Sequence, residues 1–291
     1  MSGRMACERY GCAVTDTLEQ GKRPEFGPLL RQWRARRRRS QLDLALETGV
    51  SARHLSFLET GRAKPSREMV LRLAEQLNVP LEDRNALLLA AGYAPAYPRR
   101  SLDHEEMAAV RAALDHLLHA YLPYPALVVD RTWTLLTANA AAGLLMSGVS
   151  PALLEPPVNV LRVSLHPEGL APAIRNLAQW RGHVLHRLAR EIAATGDPAL
   201  VALRDELAGY PGGESDVEET GVAIPLRLRV RDHDISLLST ITTFGTALDL
   251  TLAELSLEAF LPADGESAQA LAALVDDVTS EVGLRNQPSR R

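Results

Sequence analysis

The chemistry-bearing residues of this 291-residue chain concentrate in SQLDLALETGVSARHLSFLETGRAKPS, residues 40–66, directly after the arginine run RARRRR at 34–39. Ser51, Ala52, Arg53, His54 and Phe57 are expected on the outward side of a short helix. They begin small and then offer donors, the order that close approach to DNA base edges requires. Arg62 and Lys64 follow on a loop within reach of phosphate. Free amides at the starts of two adjacent short helices bind phosphate as well. Between Lys22 and Arg84 there are 14 Lys or Arg against 8 Asp or Glu, an excess of +6 in a chain whose net charge is −4. The front is therefore basic and the rest acidic, with clusters at 213–220 and 276–281, so a polyanionic partner is expected for the front only.

A second polar group lies further on. Arg175, Arg181, His183 and His186 share one helical pattern, with the two histidines three apart and hence neighbours on a face. They suit a clamp for an acyl carboxylate, a metal pair or a solvated face. Asp232-His233-Asp234 has metal-ligand residue types, but a hairpin turn accounts for it, and His166-Pro167-Glu168-Gly169 reads as a loop. Cys7 and Cys12 are the only 2 cysteines and have no histidine at ligand spacing, so no metal site is expected. There is no G-x-S-x-G, no phosphate-binding glycine loop and no H-E-x-x-H; no catalytic residue and no cofactor is assigned. No apolar run approaches the roughly 20 residues of a membrane span, and the N-terminus lacks the order of a signal peptide. The expectation is a cytoplasmic protein with no membrane partner.

These residues need elements to hold them. Phe26, Leu29, Leu30 and Trp33 recur at helical spacing. A second helix over 41–48 stops at Gly49, a third is capped by Ser51, a fourth opens near Ser66, and a fifth follows Pro80 and ends at Gly92. The expected organisation is a frayed stretch 1–24, an all-α five-helix domain 25–92 with a helix-turn-helix at its centre, and a Pro- and Arg-containing linker 93–101. A second domain over 102–284 and a tail 285–291 complete it. In the second domain a helix at 103–122 precedes a hairpin over 126–139. Asn139 caps an alanine-rich helix 140–147, helical patterns follow at 171–194 and 198–209, and strands at 222–230, 234–244 and 253–263 lead to a helix at 265–282. This is an α+β domain with a five-stranded antiparallel sheet.

Gln41, Leu44, Ala45, Gly49, Val50, Ser51, Leu55, Ser56, Glu59 and Gly61 stand at spacings that resemble the phage-repressor (Xre-type) helix-turn-helix. That resemblance implies that Gln41 reaches phosphate, that Ala52, Arg53 and His54 face bases, and that Arg34 pairs with Glu59. It often has a polar base reader where Phe57 stands here. Together with YPALVVDRTWTLLTANAAA, LHPEGL, NLAQWRGHVLHRL and LDLTLAELSLEAFLPAD, the chain resembles MmyB-like regulators, whose C-terminal half is a PAS-like ligand-binding domain. The resemblance names no ligand.

An antiparallel sheet covered by helices encloses apolar space. Candidate lining residues are Trp133, Leu145, Trp180, His183, Val184, Leu228, Leu237, Ile241, Phe244 and Leu257. Aromatic residues make up only 4% of the chain, so a fatty acid or acyl chain suits the space better than a planar cofactor. The expected function is sequence-specific binding of double-stranded operator DNA by a homodimer, regulated by a small apolar ligand. The alternatives are an acyl-group hydrolase or transferase recruited to DNA, and a ligand-free interaction scaffold.

Overall fold

The structure is a computed structural model that describes residues 25–213, 223–245 and 247–285. The stretch 1–24 with both cysteines, most of the acidic 213–220 cluster and residues 286–291 of the expected tail lie outside the described residues. The chain divides into two compact units near Arg99–Arg100.

The first unit is helical: α1 (Phe26–Arg36), α2 (Gln41–Thr48), α3 (Ala52–Glu59), α4 (Arg67–Gln76) and α5 (Leu81–Ala90). Local chemistry sets the ends. Ser40 and Asp43 form a reciprocal capping box at the start of α2, and Ser51 and Ser66 accept from the third amide of α3 and α4. Gly49 ends α2 at φ 70°, in the left-handed region where a β-carbon is disfavoured. The apolar stripes of all five helices meet in one core built on Leu30, Trp33, Leu44, Leu55, Leu58, Val70, Leu73 and Leu87. α1 lies so close to the end of α3 that a β-carbon on Gly27 would stand 2.5 Å from the Glu59 carbonyl oxygen. Residues 93–97, within the expected connector, are tied to this unit. Asn85 accepts from the amides of Ala96 and Tyr97 and donates to the Tyr97 carbonyl, and Tyr93 donates its hydroxyl to the Pro65 carbonyl.

The second unit contains α6 (Ala108–Ala120), β1 (Ala126–Val129), β2 (Leu135–Ala138), α7 (Ala140–Leu145), α8 (Val160–Leu165), α9 (Leu177–Thr195), α10 (Pro198–Ala208), β3 (Leu226–Val230), β4 (His233–Thr243), α11 (Leu250–Glu254), β5 (Ser256–Pro262) and α12 (Gly265–Arg285). The strands form one antiparallel sheet in the order β2-β1-β5-β4-β3. The short helices α8 and α11 fall in stretches expected to be irregular or part of a strand. The pattern expected from 171 becomes α9 only at Leu177, because Ala171–Ala173 form a single 3-10 turn that ends at Ile174, which is extended and bridges to Leu228.

Register decides which residues share a face, since directly opposed residues of an antiparallel pair point the same way. Leu226, Leu228, Ile235, Leu237, Ile241 and Glu258 lie on one face. Ala126, Val128, Leu257 and Ala259 lie on the other, packed against Leu114 and Leu118 of α6.

Candidate nucleic-acid interface and buried polar site

In the helix-turn-helix, Ser51 is the N-cap of α3, its hydroxyl accepting from the His54 amide at 3.1 Å. Arg53 is exposed, and its guanidinium lies 5.3 Å from the centre of the Phe57 ring one turn later. Phe57 thus supports the arginine rather than projecting alone. Ala52 and His54 are half-buried, and Arg62 and Lys64 are exposed on the loop after α3. The result is a small-residue start and one exposed cation on α3, with two more exposed cations on the loop that follows.

Gln41 is half-buried and has a partner inside the domain. Its amide donates at 2.7 Å to Oε2 of Glu59, so one of its donors is committed inside the domain. The same carboxylate receives Arg34 through Nε at 2.6 Å and Nη2 at 3.0 Å. The Glu59 side chain is 2% exposed. Burial pushes the Glu59 carboxyl up, but hydrogen bonds from Arg34 and Gln41, with the charges of Arg34 and Arg31, outweigh it and hold it below the usual carboxylate range. The arginine run is also largely structural: Arg37 donates to the carbonyls of Leu77 and Asn78, and Arg39 pairs with Glu47 at 3.1 Å.

In the second unit the expected lining residues do not form one surface. Leu228, Leu237 and Ile241 share a sheet face, whereas Leu257 lies on the opposite one and Phe244 packs in its cluster. The cause is the two-residue period of a strand, which sends Leu257 away from its neighbour Glu258. Ile241 is 44% exposed, so it closes no cavity, while Trp133, Trp180, Val184, Leu228 and Leu237 are buried. Leu145 and Leu228 line a groove of about 270 Å³ with Leu170, Val230, Arg229 and Arg231. The candidate carboxylate clamp is dispersed. Arg175 pairs with Asp234, Arg181 donates to the carbonyls of Ala208 and Gly213, His183 stacks on Trp180 at 5.3 Å, and His186 is exposed.

A different polar cluster occupies the sheet face. Arg187 of α9 donates through Nη1 to Oε1 of Glu258 at 2.9 Å, and Ser239 donates its hydroxyl to the same oxygen at 2.5 Å. The Arg187 guanidinium stacks 4.0 Å from the centre of the Trp133 ring. Trp133 itself stands at φ 65°, a left-handed conformation that is costly for a bulky residue. Asp130 holds it there by accepting from the amides on either side, those of Thr132 and Thr134. Signals for the pair existed in the sequence. Arg187 falls seven residues after Trp180 and three after Val184, on the edge of the buried stripe, and Glu258 interrupts the apolar strand LSLEAFLP.

Fold and edge together define a helix-turn-helix DNA-binding protein joined to a separate α+β domain. Residues 30–84 match the family described as helix-turn-helix, and residues 110–274 match the MmyB-like transcription regulator ligand binding domain. The chain belongs to the MmyB-like transcription regulators, and it is a DNA-binding transcription regulator with a ligand-binding domain. No curated protein matches the chain. Among the described residues no helix is long and apolar enough to cross a membrane, and no group of three or more His, Cys, Asp and Glu could hold a metal ion.

Proposed function

We propose that the protein binds a specific operator as a homodimer, with Arg53 reading a base, and that a fatty acid or acyl chain held in its second domain shifts the population toward one relative placement of the two DNA-binding heads. Two heads are invoked because one small module confers little specificity. The observation that carries the DNA reading is the exposed Arg53 braced by Phe57 and flanked by Arg62 and Lys64. The groove has no aromatic lining, and Leu145, Leu170, Leu228 and Val230 give it an aliphatic side beside the charged Glu168 and Arg229, which supports a flexible guest over a planar one. No turnover of acyl esters or thioesters is expected from the purified chain.

Binding to a selected operator and to random duplex, each measured across salt, tests the interface. The affinity should fall with salt at about −0.9 logarithmic units per phosphate neutralised. Arg53→Ala should relax preference at one base, costing about 1–3 kcal/mol there, whereas Lys64→Ala should weaken every sequence alike. Equal losses on operator and random DNA in both variants would remove Arg53 from base reading.

The guest is tested by thermal denaturation across fatty acids of increasing length. Each methylene buried contributes about 0.8 kcal/mol, so the melting temperature should climb with length and then drop when the space is full. Val184 is fully buried, and a tryptophan there would overpack the core, so the blocking variant is Leu145→Trp in the groove. It should flatten the series and leave operator affinity unchanged. A flat series in the unaltered protein would exclude an acyl guest.

A further inference from the structure

We infer that Arg187 is the receptor for the anionic head of the ligand, and that Glu258 occupies it as an internal stand-in which the ligand displaces. The inference rests on the reading above that the second domain takes an apolar ligand, and it seats that ligand beside Ile241, six residues along β4 from the Ile235 that opposes Leu228, rather than in the groove. Three observations carry it.

Arg187 is under-satisfied for a charge in this position. Among the described residues it meets a single carboxylate oxygen and a ring face, and its Nε is buried with no hydrogen-bond partner. A guanidinium carries five donors in a planar fork matched to two carboxylate oxygens. A buried Nε without an acceptor is an uncompensated donor, which is costly, and it gives the arginine a reason to turn toward a second anion.

The pair is also asymmetric in access. Arg187 keeps 14% of its side chain exposed against 3% for Glu258, so an incoming anion meets the arginine and not the glutamate. Beside the pair the sheet face is open. Ile241 lies directly opposite Glu258 across the β4–β5 pair and is 44% exposed, with Thr243 beyond it exposed as well. An amphiphile with its body on this shelf has its head within reach of Arg187.

The support beneath the arginine is built at a conformational cost. Trp133 is held in the left-handed region by Asp130, and its ring forms the floor under the guanidinium. Strain of this kind persists where the surroundings over-determine it, and a fixed floor keeps the fork oriented while its carboxylate partner is exchanged. Ser239 gives Glu258 a second donor, so the glutamate retains a partner once Arg187 turns to the ligand.

Calorimetric titration of the full chain with decanoate and with decanol, which differ only at the head, tests this. Hydrogen bonds to a charged group support a preference of about tenfold to a hundredfold for the carboxylate in the unaltered protein. Glu258→Gln keeps the size of the side chain and an acceptor for Ser239, and removes the competing charge. It should tighten decanoate about tenfold and leave decanol unchanged. Arg187→Met should bring the two affinities together. Should that variant fail to fold with Glu258 left unpaired, the double variant Arg187→Met with Glu258→Leu removes both charges and is expected to bind decanoate and decanol alike. A carboxylate preference that persists without Arg187, or a Glu258→Gln variant that weakens both probes equally, overturns the assignment of Arg187. Equal binding of both probes by the unaltered protein also overturns it, while sparing the apolar-ligand reading; binding of neither overturns both.

Discussion

Glu59→Ala is expected to destabilise the helical domain by about 3–5 kcal/mol, a cost that follows from stranding Arg34 in a partly buried site. Total stabilities of small domains run only to about 5–15 kcal/mol, so this variant sits close to unfolding. Glu59 receives three donors, two from Arg34 of α1 and one from Gln41 of α2, and stands at the end of α3. It thereby ties together the three helices that set the angle of the recognition helix. Arg34→Ala should cost a similar amount. The two losses should not add, because each removes the same interaction. Hydrogen exchange on the full chain reports α1 to α3 directly, and a coupling near zero in the double-mutant cycle would show that the pair contributes no more than an exposed one, about 0–1 kcal/mol. Acid should reproduce the loss. The Glu59 carboxyl is depressed in the folded state, so its contribution is complete above the ordinary glutamate range and disappears as pH falls through the depressed value. Protection of α1 to α3 should decline in that window in the unaltered protein, and the decline should be absent from Glu59→Gln.

Asn139→Ala should cost the second domain about 4 kcal/mol, since it removes four hydrogen bonds from buried or part-buried groups at once. Oδ1 accepts from the amides of Ala126 and Ala142 at 3.1 and 3.0 Å, and Nδ2 donates to the carbonyls of Leu118 and Tyr124 at 3.1 and 2.8 Å. One side chain therefore fastens the end of α6, the start of β1 and the first turn of α7. Asn139→Asp separates the two halves of this role. It keeps the cap on α7 and turns an oxygen toward two carbonyls, so it should be nearly as damaging as alanine. Chemical denaturation followed by Trp133 and Trp180 fluorescence checks the ranking. An aspartate variant as stable as the unaltered protein would mean that the donors to Leu118 and Tyr124 contribute nothing.

Much of the organisation was legible because it rests on local rules. Ser40, Ser51 and Ser66 cap helices through their own third amides, and Gly49 supplies the left-handed residue that ends α2. The cap that Asn139 provides to α7 is of the same kind, short in range and independent of the rest of the fold. Its bonds to Leu118 and Tyr124 are not, and no periodicity announced them. The resemblance carried Arg34 to Glu59 across 25 residues of sequence, and the observed geometry agrees in detail.

Residue order dictates the helical and strand periods, the caps, the basic front and the helix-turn-helix spacing, since each depends on neighbours within a turn or two. Which distant residues meet is set by packing. Strand register put Leu257 behind the sheet and Glu258 in front of it, although both lie in one apolar run. The rotation of α9 brought Arg187 to that face and left His186 exposed on the same helix. Burial then committed one Gln41 donor to Glu59 instead of solvent. Pairing across 71 residues, as between Arg187 and Glu258, is set by the fold because the cost of an unpaired buried charge is felt only once the core has closed around it.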